Sequence, residues 1–268
     1  MGPPLEQPGD LTRFLGDVDG WLTENEAWAL FEDAKRVGRD EAPPLLVDIG
    51  SYLGRSAIVM GLAVKRRGSG RVITVDPQRD EQFERLQANL RTKGVDDVVD
   101  AWSAGSAQAS ERIEPRSVDL LFLDGDHSYD GAIRDMIAWR PKLSDGAVVG
   151  INDPFWGGVN RMLRDYVFAL TSPFREPRLV DNTMFVVHRP EATLTRYELE
   201  LFHLVQRFLR RGRAWHALDV PLRKRAQVPS FLWRIGRSHD LRVFPGLAGL
   251  ATERAGRRHR QRTRRGTR

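Results

Sequence analysis

The 268-residue chain contains no cysteine. A disulfide framework, a thiolate zinc site, an iron–sulfur cluster and a cysteine nucleophile are therefore excluded. Long apolar runs are missing as well, because the longest, residues 56–64, is far shorter than the roughly 20 residues that cross a bilayer. The first residues, MGPPLEQPGD, have neither the basic start nor the apolar core of a secretory signal. We therefore expect a cytoplasmic protein without a transmembrane segment.

Charge is distributed unevenly along the chain. Residues 191–268 carry 19 Lys and Arg against 6 Asp and Glu, a net charge of +13, whereas residues 1–190 carry −7. The last stretch, residues 253–268, consists mostly of arginine and small polar residues and has almost nothing to bury, which predicts a disordered tail. We interpret it as a solubilising segment. Contact with a polyanion such as nucleic acid is a less favoured alternative.

Short apolar runs alternate with helical patterns through the middle of the chain. The runs that we interpret as strands are residues 45–49, 71–75, 98–103, 118–124 and 147–151. Because helical patterns separate these five runs, they predict a parallel sheet that is covered on both faces. Two later runs, residues 178–180 and 184–188, have no helix between them and predict an antiparallel edge hairpin. The expected fold class is α/β, with a mostly parallel sheet of seven strands.

The segments on either side of this alternation differ in character. Residues 1–20 are rich in proline, glycine and aspartate, and we expect a flexible lead-in. Residues 23–26, Thr-Glu-Asn-Glu, match a capping box and predict a helix N-terminus at the start of a domain that spans residues 21–190. Residues 191–252 form a basic, partly helical extension in this interpretation. The apolar stripe within residues 194–209 is expected to pack on the body of the protein.

Ligands of open parallel sheets bind beyond the carboxyl ends of the strands, so the residues after each strand are the first candidates for a site. The first strand is followed by a glycine-bearing turn, within VDIGSYLGRS at residues 47–56, which brings backbone N–H groups close to a ligand. Asp76 ends the next strand, where an acid can accept both hydroxyls of a ribose. Together these features suggest an adenosine-containing cofactor, either a dinucleotide or S-adenosylmethionine.

The segment LFLDGDHSY, residues 121–129, carries the most specific pattern. Asp124 ends a buried strand and His127 follows three residues later, while the next strand ends in Asn152 and Asp153. Three oxygen-bearing side chains from neighbouring strand ends suit a hard cation such as Mg²⁺. His127 could act as a general base, because an unperturbed imidazole pKa near 6.5 suits proton removal at neutral pH. The alternative is that residues 126–128 only cap the following helix.

With these motifs the chain resembles class I S-adenosylmethionine-dependent methyltransferases of the metal-dependent O-methyltransferase branch. Sugar-modifying enzymes of the macrocin and mycinamicin type are the nearest in pattern, and catechol-type enzymes are further away. The resemblance covers about residues 20–190 and rests on the motifs GWLTENEA, VDIGSYLGRSA, VITVDP and FLDGDHSYDGAIRD. It implies a Rossmann-like fold, a carbohydrate hydroxyl as acceptor, and the cofactors S-adenosylmethionine and Mg²⁺.

The resemblance also implies roles for individual residues. Cofactor contacts fall to Asp48, Gly50, Ser51, Tyr52, Gly54, Ser56, Asp76, Gly105, Ser106 and Asp124. The metal would be held by Asp124, Asn152 and Asp153, and His127 stands where the sugar enzymes carry a catalytic histidine and the catechol enzymes a lysine. Two positions depart from the family pattern: Tyr52 replaces the middle glycine of the usual turn, and Asn152 replaces an acid.

Aromatic residues near these strand ends are candidates for acceptor binding. Phe155 and Trp156 precede two glycines and are expected in a loop over the acceptor, with Tyr129 nearby. We assign the other three tryptophans considered, Trp21, Trp102 and Trp139, to the core. The acceptor would be a small molecule or an oligosaccharide. A catechol or phenol, or an RNA held by the basic end region, remains an alternative, and a homodimer is left open.

Overall fold

The computed structural model describes residues 5–38 and 42–216. These residues form a sheet of seven strands in the order β3-β2-β1-β4-β5-β7-β6. The strands are β1 Leu45–Ile49, β2 Arg71–Asp76, β3 Val99–Ser103, β4 Val118–Leu123, β5 Leu143–Asn152, β6 Phe174–Val180 and β7 Thr183–His188. Strands β1 to β5 pair in parallel, whereas β7 pairs antiparallel with both β5 and β6. The predicted fold class, including the antiparallel edge pair, is confirmed.

Helices follow most of the strands. They are α1 Pro8–Phe14, α2 Glu24–Arg36, α3 Arg55–Arg67, α4 Asp80–Thr92, α5 Ser106–Glu111, α6 Tyr129–Trp139, α7 Gly157–Met162 and α8 Arg196–His216. Helix α7 continues directly into a π-helical turn at Leu163–Val167. Within the described ranges, no helix combines the length and the apolar character needed to cross a bilayer.

The core lies on both faces of the central strands. All six residues of β4 are buried, as a strand covered by helices on both faces requires. Helix α3 is buried from Ser56 to Val64 and packs into the same apolar cluster as α2. Strands β1 and β4 are neighbours in the sheet, so their carboxyl ends lie side by side at its centre. The strand order reverses there, which is where ligands of such sheets bind.

The flexible lead-in predicted for residues 1–20 is wrong for the described part of that segment. Helix α1 occupies Pro8–Phe14, and Leu11, Leu15 and Val18 are buried in the same cluster as α2 and α3. These three apolar residues stand at positions i, i+4 and i+7, which is helical spacing. The density of proline and glycine around them concealed the pattern.

Strand β5 begins earlier than the sequence predicts. We expected a strand from residue 147, but the strand runs from Leu143. Val118 pairs with Leu143 while Leu120 pairs with Val148, so the intervening residues of β5 form an irregularity. The Ser144 hydroxyl donates to Asp119 Oδ1 at 2.8 Å and fastens this irregularity to β4.

The C-terminal helix packs on the body as its apolar stripe predicts. Phe202, Val205 and Leu209 of α8 are buried, and the rings of Phe202 and Phe168 meet edge to face at 5.3 Å. Gln206 Nε2 donates to the Phe168 carbonyl at 2.7 Å. The rest of the predicted extension and the predicted tail, residues 217–268, lie outside the described residues.

Candidate active site

The turns after β1 and β4 touch each other at the carboxyl edge of the sheet. Gly50 has φ +94°, and a Cβ built on it would lie 2.1 Å from the Asp124 carbonyl oxygen, so no larger residue fits there. The Asp124 N–H donates to the Ile49 carbonyl at 2.8 Å. The predicted cofactor turn and the predicted metal site are therefore neighbours.

Asp48 lies fully buried beneath the first turn. Its Oδ2 accepts hydrogen bonds from Thr74 Oγ1 at 2.7 Å and from Ser56 Oγ at 3.0 Å. Its Oδ1 is buried and has no hydrogen-bond partner among the described residues. Burial raises the pKa of Asp48 to about 7, although the two hydroxyls oppose this rise. An uncompensated carboxylate oxygen in this turn fits a cationic donor, such as the ammonium group of S-adenosylmethionine.

Tyr52 adopts a left-handed backbone conformation with φ +44°, which explains why related turns favour glycine at its position. The Tyr52 N–H donates to Asp76 Oδ2 at 2.9 Å, and the Gln78 side chain donates to the Tyr52 carbonyl. These bonds hold the turn against the end of β2. The Tyr52 ring lies 5.1 Å from the ring of Trp21, which is 81% exposed. The assignment of Trp21 to the core is wrong.

The remaining residues of the predicted cofactor site lie at helix starts and in the first turn. Gly54 is the N-cap of α3 and Gly105 the N-cap of α5, while Ser51 is buried with its Oγ 2.5 Å from Thr74 Oγ1. Ser106 Oγ accepts a hydrogen bond from Trp139 Nε1 at 2.9 Å, and Trp139 is fully buried as predicted.

Asp135 of α6 was not identified from the sequence, although it ends the motif FLDGDHSYDGAIRD. Burial raises its pKa, while a hydrogen bond with the Ser106 side chain lowers it. Its carboxylate also lies close to Gly125, because a Cβ built on that glycine would come within 3.3 Å of Asp135 Oδ2. Asp135 is therefore a third acid, after Asp48 and Asp76, beside the predicted cofactor turns, and it lies on the side of α5.

Two carboxylates and an imidazole converge after β4 and β5. Asp124, His127 and Asp153 each place one potential ligand atom within 4.8 Å of the others. His127 Nε2 lies 3.2 Å from Asp153 Oδ2 and 3.5 Å from Asp124 Oδ1. Nε2 is buried, and neither contact has the alignment of a full hydrogen bond. A gap bordered by two carboxylates fits a divalent cation, and the incompletely satisfied nitrogen beside it can accept a proton.

The same arrangement shifts the pKa values of its members. Burial is the main cause that raises the pKa of Asp124, and it is opposed by the contacts with His127 and Asn152. The contact with Asp124 is the main cause that raises the pKa of His127, and burial opposes it. The imidazolium form of His127 is thus stabilised by its acidic neighbours.

Asn152 contacts both carboxylate residues of this group. Its Oδ1 accepts the N–H of Asp153 at 2.7 Å, so the oxygen that the sequence assigns to the metal is engaged with the main chain. Its side chain also hydrogen-bonds to Asp124. The structure thus brings Asp124, Asp153 and His127 together and places the Asn152 side chain against Asp124, and the assignment of metal ligands stays a prediction.

The aromatic residues predicted for acceptor binding separate in the structure. The Trp156 ring lies 5.5 Å from that of His127 and is 51% exposed. Phe155 instead meets Phe208 of α8 edge to face at 5.5 Å, and Tyr129 lies 4.0 Å beneath the Arg161 guanidinium. A Cβ on Gly158 would come within 2.2 Å of the His127 carbonyl oxygen, so this glycine allows the Trp156 loop to approach His127.

Comparison with known proteins agrees with this geometry. Residues 47–154 match a family model described as a methyltransferase domain. The matched residues include the turn after β1 and the ends of β4 and β5. The match supports the prediction that the protein is an enzyme, and it supports S-adenosylmethionine as the cofactor.

Solved structures show the same fold at low sequence identity. A Corynebacterium glutamicum protein is 16% identical, with 72% of this chain and 94% of that chain covered and a TM-score of 0.55. An S-adenosylmethionine-dependent O-methyltransferase from Thermotoga maritima is 15% identical, with coverage of 70% and 73% and a TM-score of 0.50. The O-methyltransferase TomG from Streptomyces achromogenes, in complex with S-adenosylmethionine, is 14% identical, with coverage of 70% and 92% and a TM-score of 0.50.

Replacing Asp48 with asparagine is expected to stabilise the protein at pH 8 in the absence of cofactor. A folded pKa of about 7 against the ordinary value of 3.8 means that the folded state keeps a proton which the unfolded state releases. Stability therefore falls as the pH rises from about 4 to about 7, by roughly 4 kcal/mol in all. Thermal unfolding at pH 5 and pH 8 should show that the gain in Tm is larger at pH 8.

The same Asp48→Asn protein should bind S-adenosylmethionine more weakly, which calorimetry measures. Asp96→Asn removes an exposed carboxylate and serves as the matched control, with little change expected in either quantity. A Tm that falls by the same amount at both pH values would contradict the assigned cost of burying Asp48.

Proposed function

We propose that the protein is an S-adenosylmethionine-dependent, divalent-metal-assisted O-methyltransferase that acts on a hydroxyl of a carbohydrate acceptor. The observation that carries this proposal is the convergence of Asp124, His127 and Asp153 directly beside the turn that follows β1. A cofactor site alone would suit many methyltransferases. Two carboxylates and an imidazole next to it suit the removal of a proton from an alcohol.

The chain's own residues define the cofactor site in this proposal. Asp48 Oδ1 would accept from the ammonium group, and Asp76 would accept from the ribose hydroxyls. Gly105 and Ser106 would line the adenine side, with Asp135 next to them. S-adenosylmethionine supplies the methyl group, whose bond to sulfur breaks as its bond to the acceptor oxygen forms.

Asp124 and Asp153 would hold Mg²⁺ through carboxylate oxygens, which are the ligands this cation prefers. Asn152 would be a third ligand if its Oδ1 coordinated the cation while still accepting the N–H of Asp153. A cation held there would lower the pKa of an acceptor hydroxyl beside it. His127 would then take the proton on Nε2, which faces the carboxylates of Asp153 and Asp124.

The Trp156 ring supports an acceptor that contains a ring. It is half exposed, lies beside His127, and offers a flat apolar face of the kind that packs against the C–H face of a sugar. A phenol would pack there as well. The sugar is preferred because His127 occupies the position where the resemblance places a histidine in sugar enzymes and a lysine in catechol enzymes. The cytoplasmic location stays a prediction from the sequence.

A methyl-transfer assay on the full chain tests the proposal. Radiolabelled S-adenosylmethionine would be offered with three acceptor panels, namely mannosides and other sugars, catechols, and RNA, each with and without EDTA. We expect label in a sugar, loss of transfer with EDTA, and recovery when Mg²⁺ is added in excess. Transfer of label to a catechol or to RNA would show that the acceptor is not a sugar. Transfer that EDTA does not reduce would contradict the requirement for a metal.

A further inference from the structure

Asp153 has an unusual backbone and is held at two points by one residue. Its φ of +53° lies in the left-handed region, which costs energy for any residue other than glycine. The Asp153 N–H donates to the Asn182 carbonyl at 2.9 Å, and Asn182 Nδ2 donates to Asp153 Oδ1. With Oδ1 engaged in this way, Oδ2 is the oxygen that faces His127 Nε2 at 3.2 Å.

Asn182 is itself held by a buried acid from the start of the domain. Glu26 is 1% exposed, and its Oε1 accepts from the Asn182 N–H at 2.8 Å and from Thr183 Oγ1 at 3.0 Å. Its Oε2 accepts from the Thr23 N–H at 2.9 Å, which is the capping-box bond of α2. Glu26 thus joins the start of α2 to the turn between β6 and β7.

The outer side of the same turn is fastened to the same segment. Asp181 Oδ2 accepts from Thr23 Oγ1 at 2.8 Å and from Asn25 Nδ2 at 3.1 Å. Asp181 also has a left-handed backbone, with φ +46°. Hydrogen bonds to Glu26 on one side and to Thr23 and Asn25 on the other therefore hold this turn in place next to Asp153.

We propose that Asn182 is a positioning residue that aims the Asp153 carboxylate at the metal gap, and that Glu26 holds Asn182 in place for this purpose. The inference rests on the proposed function in one respect, which is that Asp153 is a metal ligand. An amide donor on one carboxylate oxygen removes the freedom of the group to rotate, and the other oxygen stays directed at the gap. Strained backbone of this kind persists where surrounding contacts hold it, and such places are often functional.

The first test measures metal binding rather than turnover. Mn²⁺ titrations of the full chain, followed by electron paramagnetic resonance, would compare the wild type with Asn182→Ala. Because groups that orient a ligand typically change metal affinity when removed, we expect Mn²⁺ binding to weaken by about 10- to 100-fold. S-adenosylmethionine affinity and Tm should stay close to those of the wild type.

Asn25→Ala is the matched control, because it removes from α2 an amide of the same size that contacts the same turn at Asp181 and does not touch Asp153. It should leave Mn²⁺ affinity unchanged. Asn182→Leu removes the donor while keeping the number and branching of the side-chain heavy atoms, so it repeats the test if the alanine variant folds poorly. Under turnover, excess Mg²⁺ should restore the kcat of either Asn182 variant, which a purely structural defect would not allow.

The outcomes separate this inference from the proposed function. If the wild type binds Mn²⁺ and both Asn182 variants bind it equally well, the positioning role is overturned while the metal site stands. Equal losses of Tm, cofactor affinity and Mn²⁺ affinity in both variants would also overturn it in favour of a structural role. A wild-type protein that does not bind Mn²⁺ would overturn both the inference and the metal in the proposed function.

Discussion

Replacing His127 with alanine is expected to lower kcat by about 10²- to 10⁴-fold, the usual contribution of a general base. The imidazole lies between Asp124 and Asp153, so its Nε2 can take up a proton at the place where an acceptor hydroxyl would lose one. Alanine leaves both carboxylates in place. Metal and cofactor affinities should therefore remain near the wild-type values, which titration with Mn²⁺ and S-adenosylmethionine would verify.

His203→Ala provides the control for this experiment, because His203 is exposed on α8. Full activity is expected for it. The same geometry also allows a different role for His127, since its Nε2 borders the gap as a potential third ligand. A His127→Ala protein that loses Mn²⁺ affinity in parallel with kcat would assign His127 to the metal and remove it as the base.

The order of strands and helices could be predicted because local pattern decides it. The run VDLLFL, residues 118–123, has no polar face, which only a strand covered on both sides can accommodate. Errors arose where local signals conflicted. Proline and glycine concealed the helix that buries Leu11 and Leu15, and a Ser-Asp-Gly sequence that suggests a turn forms an irregularity inside β5. In both places tertiary packing decided the outcome.

The candidate site could be predicted in part for a similar reason. Asp124 and Asp153 follow neighbouring parallel strands, so the position of each in the chain fixes its position at the sheet edge. Hydrogen-bond partners from distant segments of the chain cannot be recognised from their positions in the sequence. Glu26 and Asn182 are 156 positions apart, and the capping box explains Glu26 without any second role. Asn182 is marked in the sequence only as a turn residue.

The orientation of individual side chains also could not be predicted from the sequence. Asn152 stands at a strand end like its neighbour Asp153, yet its oxygen accepts a main-chain N–H. Trp21 is apolar and was expected in the core, but its position on the Tyr52 ring leaves most of its surface exposed. Such differences depend on hydrogen bonds and packing contacts that only the folded chain supplies.

Asp124→Asn is expected to abolish most metal binding and to lower kcat by about 10²- to 10⁴-fold, because a bound cation stabilises developing charge by several kcal/mol. The amide keeps the size of the carboxylate but not its charge. Mn²⁺ titration and steady-state kinetics measure the two losses.

Asp130→Asn, an exposed carboxylate on α6, is the control and should retain wild-type metal affinity and kcat. Wild-type Mn²⁺ affinity in Asp124→Asn would contradict the metal site. The double variant of Asp124→Asn with His127→Ala gives the sharpest result. Both residues serve the removal of one proton, so their losses should not multiply, and the double variant should be little slower than the slower single variant. Losses that do multiply would mean that the two side chains act in separate steps.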